Sequence, residues 1–231
     1  MICVRNADKK PTPVRILPQP RVWFLTRHDV QPQDLMRAMV YDQTTGWLSR
    51  VWASGSVLYR GMRRLDAAHA ATDWDGALRW LGTLAEPIRE VQFWMHGKWG
   101  CAVIDSDVLD ASDLSPASAR RPLLDALRER LAPDALVWFR TCETFGAKRG
   151  IDFAERLADF LGARVAGHTY VIGFHQSGLH GLAPGRRAHW SADEGLLEGT
   201  ADAPRCARQS AAGEPHTITC LRGRVPERWF E

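Results

Sequence analysis

Residues 136–142 read LVWFRTC, a short apolar run that ends in a cysteine, and this stretch decides the fold that we expect. A near-continuous run of apolar side chains indicates a strand that is covered on both faces. Residues 91–97 read VQFWMHG, a second run of this kind, which ends in a histidine and a glycine. Two such strands predict a parallel sheet whose carboxyl ends bring Cys142 near His96.

Helical patterns alternate with these strands. One predicted helix begins after Asp73, a good N-cap, and stops at Pro87, and a second helix ends at Pro133. The clearest helix covers residues 152–161, where apolar side chains recur at i, i+3, i+4 and i+7 and Gly162 follows as a C-cap. The alternation predicts an α/β fold of three layers, with a mostly parallel open sheet and helices on both faces.

The chain divides into three parts in this prediction. Residues 1–20 contain four prolines and form an N-terminal lead-in. Residues 21–175 form the α/β domain, whose first strand lies at residues 21–25. Residues 176–231 are rich in Gly, Pro and Arg, and we expect a loop-rich C-terminal segment that packs on the same domain.

Four stretches inside the domain carry weaker signals. Residues 33–39 look helical, whereas residues 41–59 contain a Thr-Thr-Gly turn signal and favour a hairpin or an irregular segment. Residues 105–115 are acidic and rich in serine, and we expect a long loop. A further strand is expected over residues 165–172, bent near its middle.

The composition is that of an ordinary globular protein, with 231 residues of which 45% are hydrophobic and 25% charged. The 30 basic and 27 acidic residues give a net charge of +3, which is too balanced to predict a nucleic-acid partner. The five cysteines lack CxxC spacing, so we expect no disulfide framework, no metal and no cofactor. Because we find neither a signal-peptide pattern nor an 18-residue apolar run, we expect a cytoplasmic protein with no membrane partner.

The two strand ends carry the chemistry of a cysteine nucleophile. A thiol attacks a carbonyl as the thiolate, and a nearby imidazole both lowers the thiol pKa and supplies a proton to the leaving group. Gly97 lacks a β-carbon and lets a substrate approach its backbone, so the N–H groups of Gly97 and Cys142 can stabilise an oxyanion. We therefore predict a catalytic role for His96, Cys142 and Gly97.

An apolar strand that ends in His-Gly, followed 46 residues later (from position 96 to position 142) by a strand that ends in Cys, resembles the caspase-like cysteine peptidases. That group also contains legumains, gingipains and separases. The chain is most similar to an uncharacterised bacterial caspase-like domain, over roughly residues 21–175. The resemblance implies a caspase-like fold and a peptidase that acts on a protein or peptide substrate. It implies His96 as general base and acid, Cys142 as nucleophile, and Gly97 with Cys142 as oxyanion donors.

The chain departs from caspases proper immediately after the cysteine. Caspases continue with an Arg, Gln or Gly followed by Gly, whereas Glu143-Thr144-Phe145 follow here. Aspartate specificity is therefore not implied, and an inactive relative with the same fold remains an alternative. A catalytically silent domain that binds a protein or peptide through a groove lined by some of the ten tryptophans is the main competing hypothesis. A non-peptidase amidase or acyl-transfer enzyme is a third.

Three further residues are predicted to contact substrate. Trp99 follows the His-Gly pair, Glu143 lies beside the nucleophile, and His168 belongs to the third strand. Each has a plainer interpretation, because Trp99 can be a packing residue, Glu143 a surface glutamate and His168 a buried core histidine. Cys142 itself can be a small buried hydrophobe, and only its pairing with His96 favours catalysis. The oligomeric state is left open.

Overall fold

A computed structural model describes residues 35–230, which belong to one compact unit. The lead-in at residues 1–20 and the strand predicted at residues 21–25 lie outside the described residues. The helices and strands are, in chain order, β1 (Met36–Asp42), α1 (Trp47–Gly61), β2 (Ala67–Ala71), α2 (Trp74–Thr83), β3 (Ile88–Trp94), β4 (His96–Lys98), β5 (Cys101–Ile104), β6 (Asp107–Asp110), α3 (Arg121–Arg130), β7 (Leu131–Phe139), α4 (Ala147–Leu161), β8 (Arg164–His168), β9 (His175–Gln176), β10 (Leu179–Leu182), β11 (Leu196–Gly199), β12 (Pro204–Ala207) and β13 (Ile218–Thr219).

Six of these strands form the central sheet, in the order β10-β8-β7-β3-β1-β2. The five strands from β8 to β2 run parallel, and β10 pairs antiparallel with β8 at the edge. The predicted mixed α/β fold with a mostly parallel sheet is therefore confirmed. Because β3 and β7 are neighbours, their carboxyl ends lie side by side.

Alternate residues of β7 enter two separate cores. Val137 and Phe139 pack into a core with the buried faces of α2, α3 and α4. Leu136 and Trp138 pack on the opposite face against the C-terminal part of the chain. On that second face α1 also packs against β1 and β3, so helices cover both faces of the sheet as predicted. Coverage on both faces explains why β7 is continuously apolar over residues 135–139.

Two helices are capped by the residues that the sequence predicts. The Asp73 carboxylate accepts a hydrogen bond from the Gly76 N–H at 2.6 Å and caps α2. Gly162 adopts a left-handed conformation (φ 60°) at the end of α4, and its N–H donates to the Ala158 carbonyl at 3.0 Å. That conformation favours glycine because a β-carbon would be strained there. The helix α4 begins at Ala147, five positions before the predicted Asp152.

The expectations of a helix over residues 33–39 and of a hairpin or irregular segment over residues 41–59 are wrong for the part that the structure describes, from residue 35 onwards. Met36 begins strand β1, and Trp47–Gly61 form helix α1. The helix was missed because its two faces differ little in polarity: Ser49 and Ser56 are buried beside Tyr59, whereas Trp47, at 70% exposure, and several other apolar side chains are exposed. Such a helix lacks the clear contrast between an apolar and a polar face that periodicity detects.

Three further segments differ from prediction. The acidic stretch 105–115 contains β6 and a short 3-10 helix (Ala111–Leu114), and β5 pairs with β4 and β6 in a small separate sheet. Of residues 170–172, only Val171 makes a β-bridge, to Gln209. The C-terminal segment is not loops alone, because β10 joins the central sheet. In the described part of the chain, we find no helix that is both long enough and apolar enough to cross a membrane.

Candidate active site

The proposed nucleophile lies just beyond the end of β7. The backbone N–H of Arg140 donates to the Phe93 carbonyl at 2.9 Å, so the pairing of β7 with β3 continues past the last strand residue. Cys142 follows two positions later. His96 is the first residue of β4, two positions after β3 ends. Both residues are thus placed by the carboxyl ends of two adjacent parallel strands, where such sheets bind ligands.

Gly97 is in direct contact with the segment that carries Cys142. A β-carbon built on Gly97 would lie 2.5 Å from the Cys142 carbonyl oxygen and 2.8 Å from Cβ of Thr141, and it would also overlap the Thr144 hydroxyl. No side chain fits in that space without moving backbone atoms. Glycine at position 97 therefore allows the two strand ends to approach each other.

His96 and Cys142 line the same cleft, whose volume is about 460 Å³. We call it the Cys142 cleft. We refer to the lining residues of α1 as one wall of the cleft, and to those from residues 172–176 and 220–221 as the other wall. Its described lining residues are Trp47, Leu48, Val51, Trp52, Gly55, Leu58, Tyr59, Trp94, Met95, His96, Arg140, Cys142, Ile172, Gly173, Phe174, Gln176, Cys220 and Leu221.

The His96 side chain is exposed and packs edge-on against Trp52 of α1, with ring centroids 5.7 Å apart and an interplanar angle of 74°. Among residues 35–230, its ring makes no hydrogen bond, to the Cys142 thiol or to any other group. Within the described residues, the imidazole therefore has an aromatic contact but no hydrogen bond that fixes its orientation.

The surroundings of Cys142 favour the protonated thiol over the thiolate. Burial raises the pKa of Cys142, and the nearby Glu143 carboxylate raises it further, whereas the Ile172 N–H and the Lys98 ammonium act to lower it. The Ile172 N–H donates to Sγ at 3.4 Å. His96 is not among the groups that shift this pKa. The lowering of the thiol pKa by the imidazole, which we expected, is absent from the resting arrangement of the described residues.

The backbone around Cys142 is fixed on both sides. The Glu143 N–H donates to the Tyr170 carbonyl, and the Phe145 N–H donates to the His168 carbonyl, both at 3.0 Å. For the Cys142 N–H itself, no acceptor is found within residues 35–230. It is thus a donor in a fixed position beside the thiol.

The expectation that substrate approaches Gly97 is not met at its side-chain position, where Thr141, Cys142 and Thr144 fill the space. Gly97 is also not among the described lining residues of the Cys142 cleft. It lies opposite Ala102 in the β4–β5 hairpin, one position before the pair Lys98–Cys101 that closes the two-residue turn. Pairs in an antiparallel ladder alternate between bonded and non-bonded, and the closing pair of a two-residue turn is bonded. This alternation directs the Gly97 N–H away from β5.

Arg140 lies in the floor of the cleft and was not predicted as a site residue. Its side chain is 3% exposed. Its guanidinium donates to Gln176 Oε1 through Nε (3.2 Å) and Nη2 (2.8 Å), to Tyr59 Oη (2.6 Å) and Gln92 Oε1 (3.4 Å) through Nη1, and to the Cys220 carbonyl (2.8 Å) through Nη2. All five N–H groups of the guanidinium are therefore used.

This buried cation is compensated without a direct ion pair. Its guanidinium carbon lies 4.5 Å from the centre of the Trp138 ring and 4.7 Å from that of Trp94. Gln92, which accepts from Arg140, in turn donates to Glu90 Oε1 at 2.5 Å. The aromatic faces of Trp94 and Trp138, and the hydrogen bonds that link Arg140 to Glu90 through the Gln92 amide, thus offset the cost of burying the charge. An arginine in the otherwise apolar run LVWFRTC was the sequence signal for this network.

The three predicted substrate contacts lie outside the lining of the cleft. Trp99 is buried in a separate cluster with Ala147 and Ala207. Glu143 is buried, and one of its oxygens lies 3.9 Å from Lys98 Nζ. His168 is fully buried and hydrogen-bonds through Nδ1 to the Ser177 carbonyl at 3.0 Å. Their places in the fold correct the expectation that they face the substrate, because side chains packed into the interior present no surface to a ligand.

The structure also reveals site residues that the sequence did not suggest. Trp52 and the other cleft-lining residues of α1 were missed because that segment was expected to form a hairpin. Gln176 and Cys220 come from the segment that was expected to consist of loops, and Ile172 from a predicted strand. Comparison of the sequence with models of known protein families and with curated proteins finds no match.

Proposed function

We propose that this protein is a cysteine peptidase with a caspase-like fold, which hydrolyses a peptide bond of a protein or peptide substrate. The observation that carries the proposal is that His96 and Cys142 line one cleft at the carboxyl ends of adjacent parallel strands. The sheet with helices on both faces supports the caspase-like fold. A cytoplasmic location and the absence of nucleic-acid, membrane, metal and cofactor partners remain predictions from the sequence.

In the proposed mechanism, substrate binding excludes water from the cleft and brings the His96 imidazole to the Cys142 thiol. The His96 ring makes no hydrogen bond to the described residues that this step would have to break, and catalytic hydrogen bonds often tighten only when substrate is bound. The imidazole takes the thiol proton, and the thiolate forms a bond to the carbonyl carbon of the substrate. The N–H groups of Gly97 and Cys142 donate to the oxyanion that develops.

Collapse of this intermediate breaks the carbon–nitrogen bond, and the imidazolium of His96 gives its proton to the departing amine. A thioester to Cys142 remains. His96 then takes a proton from a water molecule, the resulting hydroxide attacks the thioester, and the thiolate leaves and is reprotonated. The overall reaction consumes one water molecule and regenerates the thiol and the neutral imidazole.

Turnover of a fluorogenic peptide library tests the proposal. We expect the wild-type protein to cleave at least one member, and the Cys142→Ala and His96→Ala variants to lose that cleavage while remaining folded by circular dichroism. Peptide-based electrophiles should label Cys142 faster than the exposed Cys206. Absence of cleavage together with labelling of Cys206 but not Cys142 would overturn the assignment.

A catalytically silent domain that binds a peptide is a second candidate. The raised pKa of Cys142 and the exposed aromatic wall of the cleft favour it. In that case, Cys142→Ala binds the same peptides as the wild type, as measured by fluorescence anisotropy, and neither protein cleaves them.

A further inference from the structure

The walls of the Cys142 cleft are apolar to an unusual extent for a solvent-facing surface. On the α1 side, Trp47 is 70% exposed and Leu58 is nearly half exposed. In the second wall, Phe174 is 59% exposed and Leu221 is nearly half exposed. A contiguous apolar surface of this kind is retained in a folded protein mainly where a ligand covers it.

The cleft offers no free charge to a charged ligand. Among its described lining residues, Arg140 is the only arginine, lysine, aspartate or glutamate. All five of its N–H groups already donate to protein acceptors, so an acidic ligand group would have to break those bonds. Glu143, the nearest carboxylate along the chain, is buried towards Lys98 and does not line the cleft. A buried charge without a partner is strongly unfavourable, so acidic and basic side chains are both disfavoured.

The size of the cleft fits one large side chain with its flanking backbone. A volume of about 460 Å³ lies within the usual range for small-ligand sites. The Cys142 thiol lies in the same cleft, so a side chain bound between the two walls belongs to a residue close to the scissile bond. Aromatic side chains gain most from such a site, because they bury a large apolar area and stack on other rings.

We propose that the Cys142 cleft is a specificity pocket for a large uncharged apolar side chain, preferably aromatic, of a polypeptide substrate. This proposal rests on the proposed peptidase function. It names a substrate class that His96 and Cys142 alone do not indicate. A preference for an apolar side chain is distinct from a preference for aspartate or for a basic residue.

Three activity-based probes test the inference. They share a peptide backbone and a thiol-reactive ketone and differ only in the residue next to the ketone, which is Phe, Asp or Arg. We expect Cys142 to react with the Phe probe about 100-fold faster than with the other two. Phe174→Ala and Leu58→Ala should each slow the Phe probe about tenfold. Labelling of Cys142 by iodoacetamide, a small reagent that presents no amino-acid side chain to the cleft, should stay unchanged in both variants.

Val57→Ala is the matched control, since Val57 belongs to α1 and is 71% exposed but does not line the cleft. We expect it to react with all three probes as the wild type does. Phe174→Arg adds a positive charge to the wall and should shift the preference towards the Asp probe. Preferential labelling of Cys142 by the Asp or Arg probe in the wild type would overturn the pocket assignment and leave the peptidase proposal standing. Failure of all three probes to label Cys142 faster than Cys206 would overturn both.

Discussion

Gly97 and Cys142 are in van der Waals contact through their backbones, and a β-carbon on Gly97 would come within 2.5 Å of the Cys142 carbonyl oxygen. This contact joins the hairpin that carries His96 to the segment that carries the thiol. It does so without any side chain, so neither hydrophobic periodicity nor charge pattern reveals it. The contact makes the relative position of His96 and Cys142, the candidate catalytic pair, sensitive to a single methyl group on residue 97.

We predict that Gly97→Ala lowers the free energy of unfolding by about 1–3 kcal/mol, because the methyl group forces the two strand ends apart. Peptide cleavage should fall on the order of 100-fold, since a displacement of about 1 Å is enough to misplace reacting groups. Urea denaturation and kcat/KM report the two effects. Gly61→Ala is the control, because nothing lies within 4 Å of a β-carbon at that position. Equal kcat/KM for Gly97→Ala and wild type would contradict the contact's role.

The Arg140 network yields a second prediction. Arg140→Met leaves Gln176 Oε1 without a donor and removes one of the hydrogen bonds made by the Tyr59 hydroxyl and by the Cys220 carbonyl. A buried acceptor left without a partner costs roughly 1–3 kcal/mol, and each further lost hydrogen bond costs about 1 kcal/mol. We expect a loss of several kcal/mol in urea denaturation. Tyr59→Phe removes only one member of the network, a hydroxyl that donates to the Cys220 carbonyl at 2.7 Å, and should cost about 1–2 kcal/mol. An Arg140→Met protein as stable as Tyr59→Phe would show that the guanidinium is not the centre of the network.

Strands β3, β7 and β8 of the central sheet were predictable from the sequence, whereas β1, β2, β10 and the cleft were not. Strand β7 is apolar on both faces over residues 135–139, and α4 has regular spacing and a glycine cap, so local pattern and tertiary packing agree there. The helix α1 buries two serines beside Tyr59 and exposes a tryptophan, so its two faces differ little in polarity. The guanidinium of Arg140 donates hydrogen bonds to Gln176, Tyr59 and Cys220, which lie 36, 81 and 80 positions away along the chain. Contacts over such separations exist only once the chain has folded.

His168 provides a third prediction, on acid stability. Burial lowers the pKa of His168 to about 3, against the opposing effect of the Ser177 carbonyl. An unfolded histidine titrates near 6.5, so between about pH 6.5 and pH 3 the unfolded state binds more protons than the folded state. The contribution of His168 to the free energy of unfolding therefore has its full value above about pH 6.5. It decreases as the pH is lowered, by at most about 1.4 kcal/mol per pH unit.

In His168→Asn this contribution to acid sensitivity is removed. We expect its unfolding free energy, measured in urea at pH 7, 6, 5 and 4, to fall less steeply than that of the wild type, even if it starts from a lower value. Identical slopes for wild type and His168→Asn would exclude His168 as a source of acid lability.

The fourth prediction concerns the resting thiol. Because burial and the Glu143 carboxylate raise the pKa of Cys142, its alkylation by iodoacetamide in the free protein should still accelerate at alkaline pH values where an ordinary cysteine has reached its plateau. Glu143→Gln removes the nearby negative charge and should lower that pKa, so alkylation at a fixed pH becomes faster. Lys98→Met removes the opposing positive charge and should make it slower. Mass spectrometry of the Cys142 peptide between pH 7 and 10 follows both changes, and an unaltered profile in both variants would refute the electrostatic account of the thiol.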